Sequence, residues 1–244
     1  MIRLTLLLIL TNLVSMTDLF CQNETSLDTN KKTLTVKKTT DFEVTGKGDT
    51  DHWKKCEWVE IPFLRGDNST YLTKVKVLYS DKGMYFLFQC QDSKLTSTIT
   101  EDFEDLYKED VVEVFLWSDE SSTEYFEYEI SPMNYELPIL IPNYGGTFMG
   151  WLPWHYNGER KTKHETSVTG GKKKSGGEVK SWVAEFFIPY PLLKPLQNVP
   201  PKSGSKWRAN MYRIDYDNGQ SFWSWNPVNK SFHDYENFGV FVFE

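Results

Sequence analysis

From about residue 56 onward, hydrophobic and polar positions alternate with a period of two in short runs separated by turn residues, the pattern of strands with one face buried. In 73–79, Val75, Val77 and Tyr79 share a face against Lys74 and Lys76. In 84–91, Met84, Phe86, Phe88 and Cys90 oppose Tyr85, Leu87, Gln89 and Gln91. In 110–117, Val112, Val114 and Leu116 form an aliphatic face, and Glu113 lies on the other between Val111 and Phe115. In 124–130, Phe126, Tyr128 and Ile130 oppose Tyr125, Glu127 and Glu129; in 181–188, Trp182, Ala184, Phe186 and Ile188 oppose Val183, Glu185 and Phe187. Segments 206–216 and 238–243 complete the long strands. Helical periodicity is nearly absent, and 189–193 is at best one turn. The prediction is an all-β fold, a sandwich or barrel, in one domain over 41–244. Residues 23–40, rich in lysine, read as a polar leader, and the loop 170–177 (GGKKKSGG) as a mobile, solvated hairpin connection.

The first 22 residues follow a different pattern. An apolar run from Leu4 to Met16 stands behind Arg3, too short to span a bilayer comfortably and followed by polar residues. It reads as a secretory signal peptide cleaved near Cys21 or Gln22, so an exported, periplasmic or cell-surface protein is expected, with lipidation at Cys21 the less fitting alternative. No later stretch reads as a transmembrane helix. Export would leave Cys56 and Cys90, read as two buried thiols in preference to a disulfide. Asn-x-Ser/Thr sequons stand at Asn23, Asn68 and Asn229.

Composition narrows the function. The 244 residues carry 27 Lys+Arg against 34 Asp+Glu, a net charge of −7, which argues against nucleic acid as a partner because that needs a basic face. The 9 Trp, 13 Tyr and 16 Phe exclude a disordered chain. Most of these rings fall on core faces of strands, but Tyr107, Trp151, Trp154, Trp223, Trp225 and Phe232 fall at strand ends or in loops, where exposed rings would suit sugars. Glu113 interrupts an apolar strand. It is either on an outer wet face or an acceptor for ligand hydroxyls. The acidic residues Glu101, Asp102, Glu104, Asp105, Glu109 and Asp110, and the pair Asp49 and Asp51, make calcium a candidate structural ion, against the plainer reading of solvated loops. There is no nucleophile elbow, phosphate loop or zinc spacing.

Ordered strings then show a resemblance. VTGKGDTDHW (44–53), TKVKVLYSDKGMYFLFQCQD (73–92), YKEDVVEVFL (107–116), WVAEFFIP (182–189), WRANMYRID (207–215) and FWSWNP…FHDYENFGVF (222–241) resemble, in order, the family 9 carbohydrate-binding modules of the DOMON-like sandwich group. The resemblance implies an antiparallel, jelly-roll-like β-sandwich that binds a sugar or glycan end between two aromatic rings, with structural calcium reported in the family. It maps the ring pair onto Tyr107 and Phe232, both often Trp in sugar-binding members, the ligand-facing Glu onto Glu113 and a polar partner onto Asn229, with Trp225 as a buttress. A family arginine that contacts sugar falls at Glu129. The implied function is non-catalytic carbohydrate binding in polysaccharide recognition or breakdown, beside a separate glycanase. The alternatives are a haem module ligated through Met133 or Met149 with His155 or His164, a glycoside hydrolase using a carboxylate pair, and a partner-docking sandwich with an exposed apolar patch.

Overall fold

The computed structural model describes residues 31–67, 70–144, 147–148 and 155–244. Among them the chain forms β1 (Thr33–Lys38), β2 (Val59–Glu60), β3 (Phe63–Arg65), β4 (Thr73–Tyr79), β5 (Gly83–Gln91), β6 (Val111–Trp117), β7 (Glu124–Ile130), β8 (Glu136–Tyr144), β9 (Thr147–Phe148), β10 (Lys163–Thr169), β11 (Ser181–Pro189), the one-turn helix α1 (Tyr190–Leu193), β12 (Lys206–Asp215), β13 (Ser221–Ser224) and β14 (Gly239–Phe243). No helix among the described residues is long and apolar enough to cross a membrane. The expected signal peptide, Cys21, Met149, Trp151 and Trp154, and the sequons at Asn23 and Asn68, lie outside the described residues.

The strands form two facing layers. One runs β10–β11–β5–β4, the other β14–β12–β6–β7–β8–β9, and β1 joins them into one curled sheet. Thr33–Val36 pair with β14 and Lys37–Lys38 with β4. Both pairings are parallel, whereas the other strand pairings are antiparallel. The sandwich therefore begins by residue 33, inside the segment expected to be leader. Lys37 and Lys38 are exposed there while Val36 is fully buried, so a strand with one core residue carries few marks of being one.

The register of the sheet decides which residues meet. Val112, Val114 and Leu116 of β6, Phe126, Tyr128 and Ile130 of β7, and Met84, Phe86, Phe88 and Cys90 of β5 point inward to one core between the layers. Full burial of each such aliphatic side chain stabilises the fold by about 1.5–3 kcal/mol. Cys90 lies in this core and Cys56 in a separate cluster, both as free thiols.

The outer faces are also covered. Outside β5 and β11, Phe42, Val44, Trp53 and Cys56 pack over Leu78, Tyr85, Leu87 and Phe187. This cover is fastened by Glu185, wholly buried on β11. Its carboxylate accepts hydrogen bonds from Trp53 Nε1 (2.8 Å), from the backbone amides of Thr45 (3.0 Å) and Gly48 (3.2 Å), and from Thr45 Oγ1 (3.0 Å). Gly48 has φ +64°, and a Cβ there would meet Leu87 at 2.5 Å, so the string 44–53 needs its glycine for handedness and for space. The loop 170–177 is tied down as well: Gly176 N and Leu95 O, and Leu95 N and Gly177 O, are bonded at 2.8 and 2.9 Å.

Candidate functional site

On the other layer, Val111, Phe115, Tyr125, Tyr212 and Ile214 face away from the main core into a second apolar layer with Leu106, Leu137, Ile139, Ile141, Phe232 and Phe238. Two segments cover this face, the loop before β6 and the loop before β14. Between them lies a cleft of about 460 Å³, within the range of small-molecule sites. Tyr107, Glu113 and Phe232 all line it, along with Glu127, Glu129, Arg65, Phe222 and His233.

Tyr107 sits in a single turn, Leu106–Lys108, whose Leu106 is fully buried as an anchor. The turn is held from below. Asp110 accepts from the backbone amides of Thr96 (2.6 Å) and Tyr216 (2.9 Å), Glu109 from those of Thr98 (2.5 Å) and Ile99 (3.0 Å), and the Tyr107 carbonyl accepts from Tyr216 Oη (3.0 Å). Tyr107 is nonetheless left 43% exposed, so its turn is anchored while its side chain stays open to solvent.

Phe232 is positioned by Tyr212 of β12. The two rings stack at 3.9 Å and 12°, and Tyr212 Oη donates to the Phe232 carbonyl at 2.9 Å. Phe222 meets Phe232 edge-on at 5.7 Å. One face of Phe232 is therefore used by the protein. The string 232–239 accounts for the rest of this loop. His233 Nδ1 is 2.7 Å from Tyr125 Oη, Asp234 accepts from the Asn229 amide (3.0 Å) and Asn237 Nδ2 (2.8 Å), and Phe238 packs in the second layer.

Three carboxyls form the floor. Glu113 on β6 stands directly opposite Glu129 on β7, and Phe115 opposite Glu127. All three glutamates are buried. Oε1 of Glu113 and Oε2 of Glu127 and of Glu129 have no hydrogen-bond partner in the protein. Burial, then the charge of Glu129, holds the Glu113 carboxyl well above the usual range. Burial and Glu127 do the same to Glu129, and burial and Glu113 push Glu127 up to about 8. His233, 3.8 Å from Glu127, is pushed down to about 4 by burial and stays neutral at pH 7. Among the described residues no lysine or arginine lies within ion-pair distance of the three carboxyls. Arg65, at the exposed rim, lies over the Phe222 ring at 4.6 Å.

Two expected residues fall elsewhere. Trp225 shares the inward face with Trp223 and packs in the main core, where a Cβ on Gly239 would meet its ring at 2.4 Å. It supports β14 from within and does not line the cleft. Asn229 is exposed, next to the lining residues Lys230 and Ser231, and is not itself one of them. Glu127, Arg65, Phe222 and His233 were not singled out from the sequence. Glu127 carries the same signal as Glu113, since alternation puts it on the same face of the adjacent strand. Arg65 carries no signal, because β3 reaches the cleft only through its pairing with β13.

The acidic residues proposed for calcium are mostly engaged in the loops, with Asp105 on Lys108 (2.6 Å), Asp51 on Lys54 (2.6 Å) and Asp102 accepting from the Glu136 amide (3.0 Å). Asp110 instead joins Asp92 and Asp215 in a buried trio whose oxygens lie within 4.8 Å of one another. Both oxygens of each aspartate already accept hydrogen bonds, and Arg213 donates to Asp92 (3.1 Å) and Asp215 (2.5 Å). A guanidinium thus stands beside two of the three aspartates, and Asp110 is held by backbone amides alone. For haem, His164 has both ring nitrogens engaged, Nδ1 with Asn134 (3.1 Å) and Nε2 with Glu136 (3.3 Å), which removes it as an axial ligand.

Comparisons with known proteins agree with this architecture. No curated protein matches the chain. A candidate carbohydrate-binding protein from Bacteroides uniformis is similar in structure, with a TM-score of 0.71 and 15% identity, over 88% of this chain and 100% of that one. A family 9 carbohydrate-binding module from Caldicellulosiruptor kristjanssonii, in complex with cellotriose, matches with a TM-score of 0.63 and 15% identity, over 87% and 94% of the two chains. The same organism's module in complex with glucose gives 0.62 and 16%, over 87% and 96%. These likenesses show a shared β-sandwich fold. The family model for carbohydrate family 9 binding domain-like proteins matches residues 44–244, the span over which the ordered strings run, and the chain belongs to that family.

Proposed function

We propose that the protein is an exported, non-catalytic sugar-binding protein that takes a sugar or glycan end into the cleft beside Tyr107 and Phe232. One observation carries the reading: a single cleft brings together an exposed tyrosine ring on an anchored turn, a phenylalanine ring and buried carboxyl oxygens that lack partners. Rings suit the C–H faces of a pyranose, and unpaired acceptors suit its hydroxyls. Similar modules of the family hold cellotriose and glucose, which makes a gluco-oligosaccharide the first ligand to try. Because Tyr212 covers one face of Phe232 and the residue is only 9% exposed, the exposed Tyr107 ring carries most of the stacking. The apolar run near the N-terminus supports export, and a separate glycanase would supply any cleavage.

A hydrolase reading draws on the same three glutamates, but hydrolysis needs one carboxyl protonated and one ionised. Here burial raises all three, which by itself picks out no ionised partner for an acid. Calorimetry of the purified protein against a glycan panel tests the proposal. Binding in the micromolar-to-millimolar range (an order-of-magnitude expectation) that is lost in Tyr107→Ala supports it. No binding to any sugar, or release of reducing sugar from polysaccharide, would overturn it.

A further inference from the structure

The floor of the cleft is more acidic than recognition of a neutral sugar requires. Hydroxyl groups can donate to orphaned carboxyl oxygens, but they bring no charge to a site holding three buried acids. The arginine and lysine at the rim, Arg65 and Lys230, are exposed, so water screens them, and neither is paired with the floor. The buried aspartates Asp92 and Asp215 elsewhere in the molecule have Arg213 between them. The glutamates of the cleft have no such internal cation, and all three line the space a ligand would fill.

From this contrast, and resting on the sugar-binding reading above, we infer that the cleft selects an amine-bearing sugar, with the protonated amino group taking the place of the missing cation over Glu113, Glu127 and Glu129. A bare metal ion fits less well. Among the described residues, the three carboxyls that converge closely are the aspartates and not these glutamates. Carboxyls that do not all converge on one point suit an ammonium on one or two glutamates, with a neighbouring hydroxyl on the third. An ammonium offers up to three donors together with its charge, and such charge-assisted bonds are about twice as strong as neutral ones. Tyr107 and Phe232 supply the apolar faces for the ring that carries the amine.

Binding has a proton balance. A glutamic acid that receives the ammonium gives up its proton to solvent, while the ammonium keeps its own. Complex formation therefore releases protons and strengthens as pH rises, until the amine itself deprotonates.

The test is calorimetry of the full chain at pH 7 against the β-1,4-linked glucosamine disaccharide, its N-acetylated form and cellobiose. Runs in two buffers of different ionisation enthalpy measure the protons released. The inference expects the free amine to bind about tenfold more tightly than cellobiose, with proton release, and the preference to shrink in Glu113→Gln and in Glu129→Gln. Cellobiose binding as well as or better than the amine would overturn the inference and leave sugar binding standing. So would a preference that survives both variants, or calcium chloride alone binding and blocking the amine. Failure of all three sugars would overturn the sugar-binding reading and this inference with it.

Discussion

Glu113 and Glu129 face each other across neighbouring strands as direct cross-strand partners, both buried and both without a compensating cation. Like charges in this position repel, and burial penalises each charge further, so folding raises the proton affinity of both. Glu113→Gln keeps the shape and removes the titration. The variant should match the native protein in stability near pH 5. By pH 9 it should be more stable by about 1 kcal/mol or more, since a tenfold change in a proton's affinity between the folded and unfolded chain is worth about 1.4 kcal/mol. Denaturant melts at the two pH values measure this, and equal pH dependence in both proteins would contradict it.

The whole molecule should lose stability as pH rises above neutrality. Burial pushes Asp92 up to about 7 against the pull of Arg213, and burial with Asp92 and Asp215 pushes Asp110 up to about 9; Glu127 lies near 8. Groups raised on folding contribute stability that is present below their unfolded values near 4 and lost as pH climbs through the folded values. His233, lowered to about 4, acts the other way and costs stability only below about pH 6.5. The melting temperature should therefore fall steadily from pH 6 to pH 9. A rise over that interval would contradict the assignment of these carboxyls as buried acids.

Tyr212 mounts Phe232 by its ring and by its hydroxyl. Tyr212→Phe keeps the stack and deletes the bond to the Phe232 carbonyl. The loss should be about 1 kcal/mol in stability and a severalfold weaker affinity for any sugar that binds, because the ring is less firmly placed. Unchanged affinity would show that the mounting of Phe232 does not matter to binding.

Glu185 fastens the opposite cover and is remote from the cleft. Glu185→Ala leaves the Trp53 indole N–H and the Thr45 and Gly48 amides without their acceptor, at a cost of about 2–4 kcal/mol. Hydrogen exchange should accelerate across 42–56, and sugar affinity should hold. Protection unchanged at those amides would contradict the clasp.

The long strands were legible in the sequence because each has one inward aliphatic or aromatic face. The 73–79 and 124–130 alternations end where β4 and β7 end. β8 was missed because Pro138 and Pro142 interrupt it, which that strand near the sheet edge tolerates. β10, another edge strand, is mostly polar in sequence. Glu113 was legible as an anomaly, but its surroundings were not. Alternation shows that it turns away from the core, and nothing local shows that two loops then bury that face. Trp225 misled for a related reason, since a loop tryptophan with no visible strand partner turned out to share the inward face of Trp223.

The most direct measurement is an NMR titration of the purified protein with the gluco-oligosaccharide or amino sugar that binds best, following the ring signals of Tyr107 and Phe232. A binding cleft between the two loops predicts saturable shifts at both rings and at the amides flanking Glu113 and Glu129, with the exposed Trp58 on the other layer unaffected. Saturable shifts centred on Trp58, or binding with no response at Tyr107 and Phe232, would contradict the account.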